Sequence, residues 1–420
     1  MKNEVALGLL TGGRDTPYAF GLGTALLAKG ARMDLIGNDD LDCSEFRDRA
    51  GVNFLNLRGD QAPSASVLTK AIRVAVYYVR LIRYAATAKP RIFHILWNNK
   101  FDAFDRTLLT LYYKWLGKKI ILTAHNVNAG IRDTNDTAFN RITLRIQYQL
   151  ADHIFVHTEK MKKELMDFAD LRAEHITVIP FGMNNAMPNT DLTPTEARRR
   201  LGIRNDEKVL LFFGYIAPYK GLEYLIAAFH QVLARDKRHR LIIAGQPKNC
   251  RRYWGPIEEA LSPDIKAGRV LLRTDFIPYD ETEVYFKSAD VFVLPYRHIY
   301  QSGVLFLGHG FGVPVLAADV GSLRDDIVEG RNGFIFRPED PDDLAKAIER
   351  YFGSELYASL DLRRKEVRAS AEVRHSWDLV AQITMTVYAS LLQIPCPASA
   401  NSSSALPNLP SSAGGRKADV

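Results

Sequence analysis

Short apolar runs of β-type residues alternate with segments of helical periodicity along most of this chain. The apolar run at 5–10 is followed by a helical segment at 18–29, and the same order recurs at 119–123 and 137–150. Strands that alternate with helices in this way predict a mostly parallel sheet with helices on both faces. Further strands are expected in short runs of the same apolar character at 33–36, 92–97, 154–157 and 176–179.

The same alternation restarts after residue 182. Strands are expected at 208–213, 239–244, 269–272, 291–294, 315–317 and 333–336, with a helix at 219–234 after the first of them. Because 420 residues exceed the usual size of one hydrophobic core, we predict two α/β domains. The segments that follow from these patterns are a first domain at 1–183, a second domain at 184–375, a helix at 376–393 and a disordered tail at 394–420.

The three cysteines, Cys43, Cys250 and Cys396, lie far apart and in no metal-ligand spacing. This argues against a disulfide framework or a structural zinc site and for a reducing compartment. The apolar run near the start is shorter than a signal peptide requires, and no stretch is long enough to cross a bilayer. We therefore expect a cytoplasmic protein.

The loops at the carboxyl ends of the strands are the first place to look for a ligand site, because open α/β sheets bind ligands there. The strand at 208–213 ends at Gly214, and Lys220 and Gly221 follow at the start of the next helix. A lysine with free backbone N–H groups suits a diphosphate. A solvated surface lysine beside a turn glycine explains the same residues equally well, so the spacing alone leaves both interpretations open.

A second loop follows the strand at 291–294 and leads into an apolar, glycine-containing helix at 304–311. Ser302 is expected to cap this helix, and Gly303 exposes backbone donors at its positive end. An ordinary capped, buried helix would show the same residues. Two such loops in one domain favour a phosphate-containing ligand.

Several segments of the chain resemble one family, the large family-4 retaining glycosyltransferases of GT-B fold. The segment 213–225 reads FGYIAPYKGLEYL and resembles the diphosphate loop of that family. Other segments are similar in the same order along the chain, up to about residue 392: ADHI at 151–154, VIPFG at 178–182, IIAG at 242–245, SAD at 288–290, LPY at 294–296, QSGVL at 301–305 and GVPVLAADVG at 312–321.

The resemblance implies a GT-B fold, in which two doubly wound Rossmann-like domains face each other across a cleft. It implies a hexosyltransferase of polysaccharide-biosynthesis type that moves a sugar from a nucleotide diphosphate to a glycan, a lipid-linked sugar or a small molecule with retention of configuration, without a metal or other cofactor. His125 and Lys220 would be the catalytic residues, His125 near the transferred sugar and Lys220 on the phosphates. The donor-binding residues would be Gly13, Tyr215, Lys220, Phe276, Ile277, Ser302, Gly303 and Val304.

The chain departs from the family pattern at three positions. Many family members carry two glutamates, one near the sugar and one on the ribose, where this chain has Ile299 and Leu307. The arginine that often follows the strand-ending glycine is replaced by Tyr215, and Arg297 is a candidate to compensate. A sugar-nucleotide-binding protein without activity is therefore the alternative. An NAD-dependent enzyme fits less well, because the first turn lacks a full G-x-G-x-x-G.

Positive charge is concentrated at residues 58–119, with 12 Lys or Arg against 3 Asp or Glu. Within the helix expected at 64–87, Lys70, Arg73, Arg80 and Arg83 fall in an arc of about 140°. Such a stripe favours peripheral contact with an anionic membrane at its inner face. A solvated helix face is an equally good explanation, and nucleic acid is disfavoured because no binding motif accompanies the charge.

Overall fold

The structure, a computed structural model, describes residues 4–61, 65–132, 136–183, 187–248 and 250–395. Its first sheet has seven parallel strands in the order β3-β2-β1-β4-β5-β6-β7. Strands β2 and β3 are added on one side of β1, and β4 to β7 are added on the other side. This change in the order of addition between β1 and β4 opens a crevice at the carboxyl ends of these two strands. The strands are β1 (Ala6–Leu10), β2 (Arg32–Gly37), β3 (Val52–Asn56), β4 (Ile92–Ile95), β5 (Lys119–Thr123), β6 (His153–Val156) and β7 (Ile176–Val178).

Helices cover both faces of the first sheet. One face packs against α3, α5, α7 and α8, and the other packs against α1. The helices are α1 (Thr16–Ala28), α2 (Ser44–Arg47), α3 (Val67–Thr87), α4 (Asp102–Phe104), α5 (Thr110–Trp115), α6 (Ala129–Arg132), α7 (Ala138–Leu150) and α8 (Glu159–Ala169). A π-helical turn at Asp105–Leu109 joins α4 to α5, so Asp102–Trp115 is one helical segment.

The second sheet has six strands in the order β10-β9-β8-β11-β12-β13, again all parallel. They are β8 (Lys208–Phe213), β9 (His239–Ala244), β10 (Val270–Arg273), β11 (Val291–Leu294), β12 (Val315–Ala318) and β13 (Gly333–Phe336). The remaining helices are α9 (Pro194–Arg200), α10 (Leu222–Arg235), α11 (Arg251–Lys266), α12 (Thr282–Ser288), α13 (Gly303–Gly310), α14 (Leu323–Asp326), α15 (Pro341–Phe352), α16 (Glu355–Ala358), α17 (Leu360–Arg374) and α18 (Trp377–Leu392).

The last helix packs on the first domain rather than the second. Trp377 at the start of α18 lies against Gly21 of α1 and against Gly182, where any side chain would collide with the indole ring. The Trp377 indole N–H donates to the Met183 carbonyl at 2.7 Å, and the Met183 N–H donates to the His375 carbonyl at 2.9 Å. These contacts hold together the two places where the chain passes between the domains, one near Met183 and the other near His375.

The fold class expected from the sequence is confirmed, with corrections to individual elements. The strand β3 was not expected, because its sequence VNFLN mixes asparagine with apolar residues. The helix after Lys220 begins at Leu222 rather than at 219, because Pro218–Lys220 forms a 3₁₀ turn that ends at Gly221 in the left-handed region. Most of the tail expected to be disordered, 396–420, lies outside the described residues, as do residues 184–186 at the start of the expected second domain.

Candidate functional site

A cavity of about 620 Å³ lies between the carboxyl ends of the two sheets. Both domains contribute to its walls, and all the catalytic and donor-binding residues implied by the resemblance line it. Gly13 and His125 come from the first domain, and the second domain contributes Tyr215, Lys220, Phe276, Ile277, Ser302, Gly303 and Val304. The structure therefore brings these residues together.

Lys220 is a buried cation in this wall. Its side chain is 4% exposed, and Nζ lies 5.7 Å from the Phe212 ring centre and 5.5 Å from that of Tyr296. Burial lowers the pKa of Lys220, and the positive charges of Arg132 and Lys248 add to this effect, so that the pKa is about 7. Within the described part of the chain, Lys220 forms no ion pair. An anion placed beside Nζ would restore the charged form.

Two glycines allow the loops around Lys220 to close on each other. Gly214 has a φ of +96°, and a Cβ added there would lie 2.9 Å from Lys220 Nζ. Gly221 has a φ of +64°, and its Cβ would lie 2.1 Å from the Pro295 carbonyl oxygen, in the loop after β11. A side chain at either position would be strained and would collide with a neighbour. The glycines thus hold the Lys220 loop against the loop that leads to α13.

The start of α13 presents two backbone donors to the cavity. The N–H groups of Gly303 and Val304 take part in none of the hydrogen bonds between described residues, as expected for the first turn of a helix. Ser302 occupies the N-cap position of α13, as predicted, but its hydroxyl makes no capping hydrogen bond. Its Oγ lies 3.3 Å from the Tyr296 hydroxyl. Because the hydroxyl does not bond to the helix start, these donors remain available to an anion.

Aromatic side chains form the rim of the second-domain wall. Phe276 is 59% exposed and Tyr215 is 49% exposed, whereas Ile277 beside Phe276 is buried. Ile299 and Leu307, at the positions where the family pattern has glutamates, also line the cavity. This part of the wall is apolar, so it offers a surface for stacking and packing rather than carboxylate acceptors.

Arg297 does not compensate for Tyr215. Its guanidinium lies 2.7 Å from a carboxylate oxygen of Glu223 and 2.7 Å from the Tyr224 hydroxyl, and it is outside the cavity. Another arginine, which the sequence did not predict for the site, lines the cavity instead. Arg132, in the short helix α6 of the first domain, lines the cavity and lies over the Tyr219 ring at 4.9 Å.

The first-domain wall is a cluster of aromatic rings around His125. The His125 ring stacks on Trp97 with centres 4.2 Å apart and planes at 4°, and the edge of Tyr18 meets it at 4.7 Å. Phe181 lies beside His125 and stacks on Phe306 of the second domain. A Cβ on Gly303 would come within 3.1 Å of Phe181, so this glycine permits the close approach of the two domains.

A chain of hydrogen bonds determines which ring nitrogen of His125 carries the hydrogen. His157 Nδ1 lies 3.4 Å from the Ile179 carbonyl oxygen, which accepts only, so Nδ1 carries the hydrogen. Burial lowers the pKa of His157 to about 4, so the ring is neutral at pH 7 and its Nε2 accepts from His125 Nδ1 at 3.0 Å. His125 Nε2 is then an acceptor, and it has no partner among the described residues.

His125 is also held neutral. Burial lowers its pKa well below the usual range, and the neighbouring His157 and His94 lower it further. The arrangement leaves a neutral nitrogen acceptor at the first-domain wall and a cation with two free amides at the second. An anionic group fits the second wall, and a hydroxyl group fits the first.

Two family models match the chain, one in each half. The family described as "Glycosyltransferase Family 4" matches residues 17–186, and the family described as "Glycosyl transferases group 1" matches residues 207–354. The first match contains every strand of the first sheet except β1, and the second match contains the whole second sheet, so together they cover most of the chain.

Individual proteins support the same assignment. An uncharacterized glycosyltransferase of Methanocaldococcus jannaschii is 26% identical over 88% of this chain and 92% of its own. A D-inositol 3-phosphate glycosyltransferase of Corynebacterium aurimucosum is 27% identical over 66% of this chain and 68% of its own.

Solved structures share the fold at lower identity. Sucrose-phosphate synthase from Thermosynechococcus elongatus has a TM-score of 0.71 and 18% identity, over 93% of this chain and 99% of its own. HepE of Anabaena, solved in complex with UDP and glucose, has a TM-score of 0.70 and 17% identity, over 92% and 100%. The chain therefore belongs to the glycosyltransferases in which these two domains form a GT-B fold.

Proposed function

We propose that this glycosyltransferase transfers a hexose from a nucleotide-diphosphate donor to an acceptor hydroxyl with retention of configuration. The observation that carries the proposal is Lys220, a buried cation without an ion-pair partner among the described residues, in a cavity that also receives the unused amides of Gly303 and Val304. A diphosphate supplies the negative charge that this wall lacks. The Anabaena HepE structure holds UDP and glucose, so a UDP-sugar is the donor to test first.

In this proposal the diphosphate lies between Lys220 and the start of α13. Arg132 reaches it from the first domain and takes the place of the arginine replaced by Tyr215. Phe276 and Ile277 lie at the rim, where an exposed ring and the adjoining backbone suit a nucleobase. Gly13 and His125 face the sugar from the first domain, and His125 Nε2 accepts a hydrogen bond from a sugar hydroxyl.

The reaction requires no nucleophilic side chain in this scheme. The bond between the anomeric carbon and the β-phosphate oxygen breaks while the acceptor oxygen bonds to the same face of that carbon. The acceptor proton passes to the departing phosphate oxygen. Lys220, Arg132 and the α13 amides stabilise the charge that develops on the leaving diphosphate, which is electrostatic preorganisation. We propose that no metal is needed for this role, because the cations and the helix start supply the charge.

The acceptor and the compartment are also part of the proposal. A glycan, a lipid-linked sugar or a small molecule fits a hydroxyl-accepting wall, and the relatives named for D-inositol 3-phosphate make a polyol phosphate a useful test compound. Cys43 and Cys250 are free thiols, which suits the cytoplasm.

The first experiment is a transfer and hydrolysis assay with UDP-, GDP- and ADP-sugars, with and without EDTA. Turnover with at least one donor and an α-linked product from an α-linked donor, read by NMR of the anomeric proton, are the expected results. EDTA is expected to leave the rate unchanged. A product of inverted configuration would contradict retention, and loss of activity in EDTA that added Mg²⁺ restores would contradict the metal-free scheme.

An inactive sugar-nucleotide-binding protein is the second candidate. Ile299 and Leu307 favour it, because both line the cavity where the family pattern has glutamates that meet the sugar and the ribose. Calorimetry with UDP, GDP and ADP separates the two candidates. Micromolar binding of a nucleotide without turnover of any of its sugars would select the binder, and turnover would exclude it.

A further inference from the structure

The outer side of α3 carries a stripe of exposed apolar side chains. Leu68 is 70% exposed and Val79 is 57% exposed, and Ile72 and Val76 between them are also exposed. At about 100° per residue these four side chains fall within an arc of about 80°. They therefore form one continuous apolar line along the helix and face away from the protein.

The core of the first domain does not use this stripe. The residues of α3 that pack on the sheet are Tyr77, Tyr78, Leu81 and Ala85, which lie on the opposite side of the helix. A surface helix normally presents polar residues to water on its outer side. An apolar outer stripe on a helix that is already anchored by its inner side indicates a binding surface.

The neighbouring helices of the same layer also carry exposed apolar side chains. The Tyr112 hydroxyl donates to the Ile82 carbonyl at 3.3 Å and joins α5 to α3, and Arg106 donates to Asn140 at 2.8 Å and joins α7 to the helical segment before α5. Nine of the exposed apolar side chains of α3, the π-helical turn, α5 and α7 are here called the outer apolar face: Leu68, Ile72, Val76, Val79, Leu108, Leu111, Trp115, Phe139 and Ile142.

Positive charge lies beside the outer apolar face, on and near α3. From residue 61 to residue 101 the sequence has seven Lys or Arg and no Asp or Glu. Arg80 and Arg83 lie on α3 itself. At the start of α3, four cations and one carboxylate line a pocket of about 220 Å³, together with Gln61, Val74 and Tyr77: Arg58, Lys70, Arg73, Lys100 and Asp60. The combination of apolar side chains and an excess of cations is complementary to an anionic lipid surface.

We propose that the outer apolar face binds the surface of an anionic phospholipid bilayer. The apolar side chains, Trp115 among them, enter the boundary between headgroups and acyl chains, and the cations contact lipid phosphates. No helix of the described ranges is long and apolar enough to cross a membrane, so the contact is peripheral. The binding concerns a surface outside the cavity and does not depend on the proposed reaction.

Flotation with lipid vesicles tests the proposal. The protein is mixed, in low and in high salt, with one of two kinds of vesicle: phosphatidylcholine alone, or phosphatidylcholine that contains about 30 mol % phosphatidylglycerol. We expect binding to the anionic vesicles that weakens at least about tenfold in high salt or without the anionic lipid. Absence of binding to anionic vesicles would overturn the proposal, and equal binding to both vesicles would overturn its anionic part.

A triple variant tests the apolar contribution. Ile72→Gln, Val76→Gln and Val79→Gln together remove apolar area without changing charge, and these exposed positions tolerate a polar side chain. Vesicle binding is expected to fall at least about tenfold. The matched control carries Val328→Gln, Leu362→Gln and Val373→Gln, which are exposed in the second domain, and is expected to bind as the parent does. Equal binding of both triple variants would overturn the proposal.

A second copy of the chain is the competing occupant of the outer apolar face. Light scattering across protein concentrations measures it without lipid. A dimer that the first triple variant abolishes, combined with no binding to anionic vesicles, would assign the face to self-association and overturn the membrane proposal.

A double variant tests the contribution of charge. In Arg80→Gln with Arg83→Gln, the salt-sensitive part of vesicle binding is expected to decrease. Arg199→Gln with Arg200→Gln is the charge-matched control.

Discussion

The two walls of the cavity recognise ligands by different means. The second-domain wall is electrostatic: a buried lysine and two unused amides come from loops that directly follow strands of one sheet. The part of the first-domain wall around His125 is aromatic and neutral, with His125 held between Trp97 and Tyr18. Arg132 is a first-domain cation that also lines the cavity. The electrostatic wall suits an anionic leaving group. The aromatic wall, with its single acceptor nitrogen, suits a neutral transferred group.

The difference also predicts how each wall responds to mutation. A charge in a buried site acts strongly on a developing negative charge, whereas one neutral hydrogen bond contributes little. Substitutions of the cations Lys220 and Arg132 should therefore have larger effects than a substitution in the aromatic wall around His125. The following variants test that order.

Lys220→Ala is expected to have the largest effect, a loss of kcat/KM on the order of 10²–10³. The variant should fold normally, because it removes a buried charge that has no ion-pair partner within the described residues. Steady-state kinetics measure the loss, and thermal unfolding checks the fold. The control is Lys237→Ala, an exposed lysine that lies outside the cavity, just before the start of β9, and it should change kcat/KM less than about threefold. A folded Lys220→Ala enzyme of near-normal activity would refute the electrostatic wall.

Arg132→Ala comes next, with an expected rise of about tenfold in the donor KM, the size of one lost charge-assisted hydrogen bond. Arg297→Ala is the matched control, because Arg297 is paired with Glu223 outside the cavity. Initial rates at varied donor concentration give both values. If the Arg297 variant raises the donor KM and the Arg132 variant does not, the compensating cation has been assigned to the wrong domain.

The pH profile tests the same lysine without a mutation. The pKa of Lys220 is lowered to about 7, and only the protonated form attracts the diphosphate. As pH rises from about 6 to about 8, kcat/KM for the donor should fall about tenfold. In Lys220→Arg the profile should be flat over this range, because arginine stays charged. A fall that persists in Lys220→Arg would assign the titration to another group.

The sequence predicted the second wall because its residues lie in short loops that directly follow strands. Lys220, Ser302, Gly303 and Val304 follow β8 and β11, and a parallel sheet brings such loops to one edge. The fold class followed from the same alternation. The missed Ser302 partner, Tyr296, depends on how the loop turns back, which the sequence pattern does not specify.

The first wall was largely hidden from the sequence because it is built by long-range packing. Tyr18, Trp97, His157, Phe181 and Trp377 come from separate elements and meet only in the folded chain. Arg132 lies in a four-residue helix without a recognisable motif. The outer apolar face was missed for another reason: the periodicity of α3 shows apolar residues on two sides, and only the packing shows which side the core uses.

His125→Phe is expected to have the smallest effect, a decrease in kcat of about 2–10-fold, the contribution of one neutral hydrogen bond. The phenyl ring preserves the stack on Trp97 and removes Nε2, so the donor KM should change little. Burial keeps the pKa of His125 far below 7, so the pH profile of the variant between about 5.5 and 8 should keep the shape set by Lys220. Single-turnover rates with saturating donor measure the effect. A loss in kcat as large as that of Lys220→Ala would mean that the aromatic wall takes part in charge stabilisation, and the distinction between the two walls would not hold.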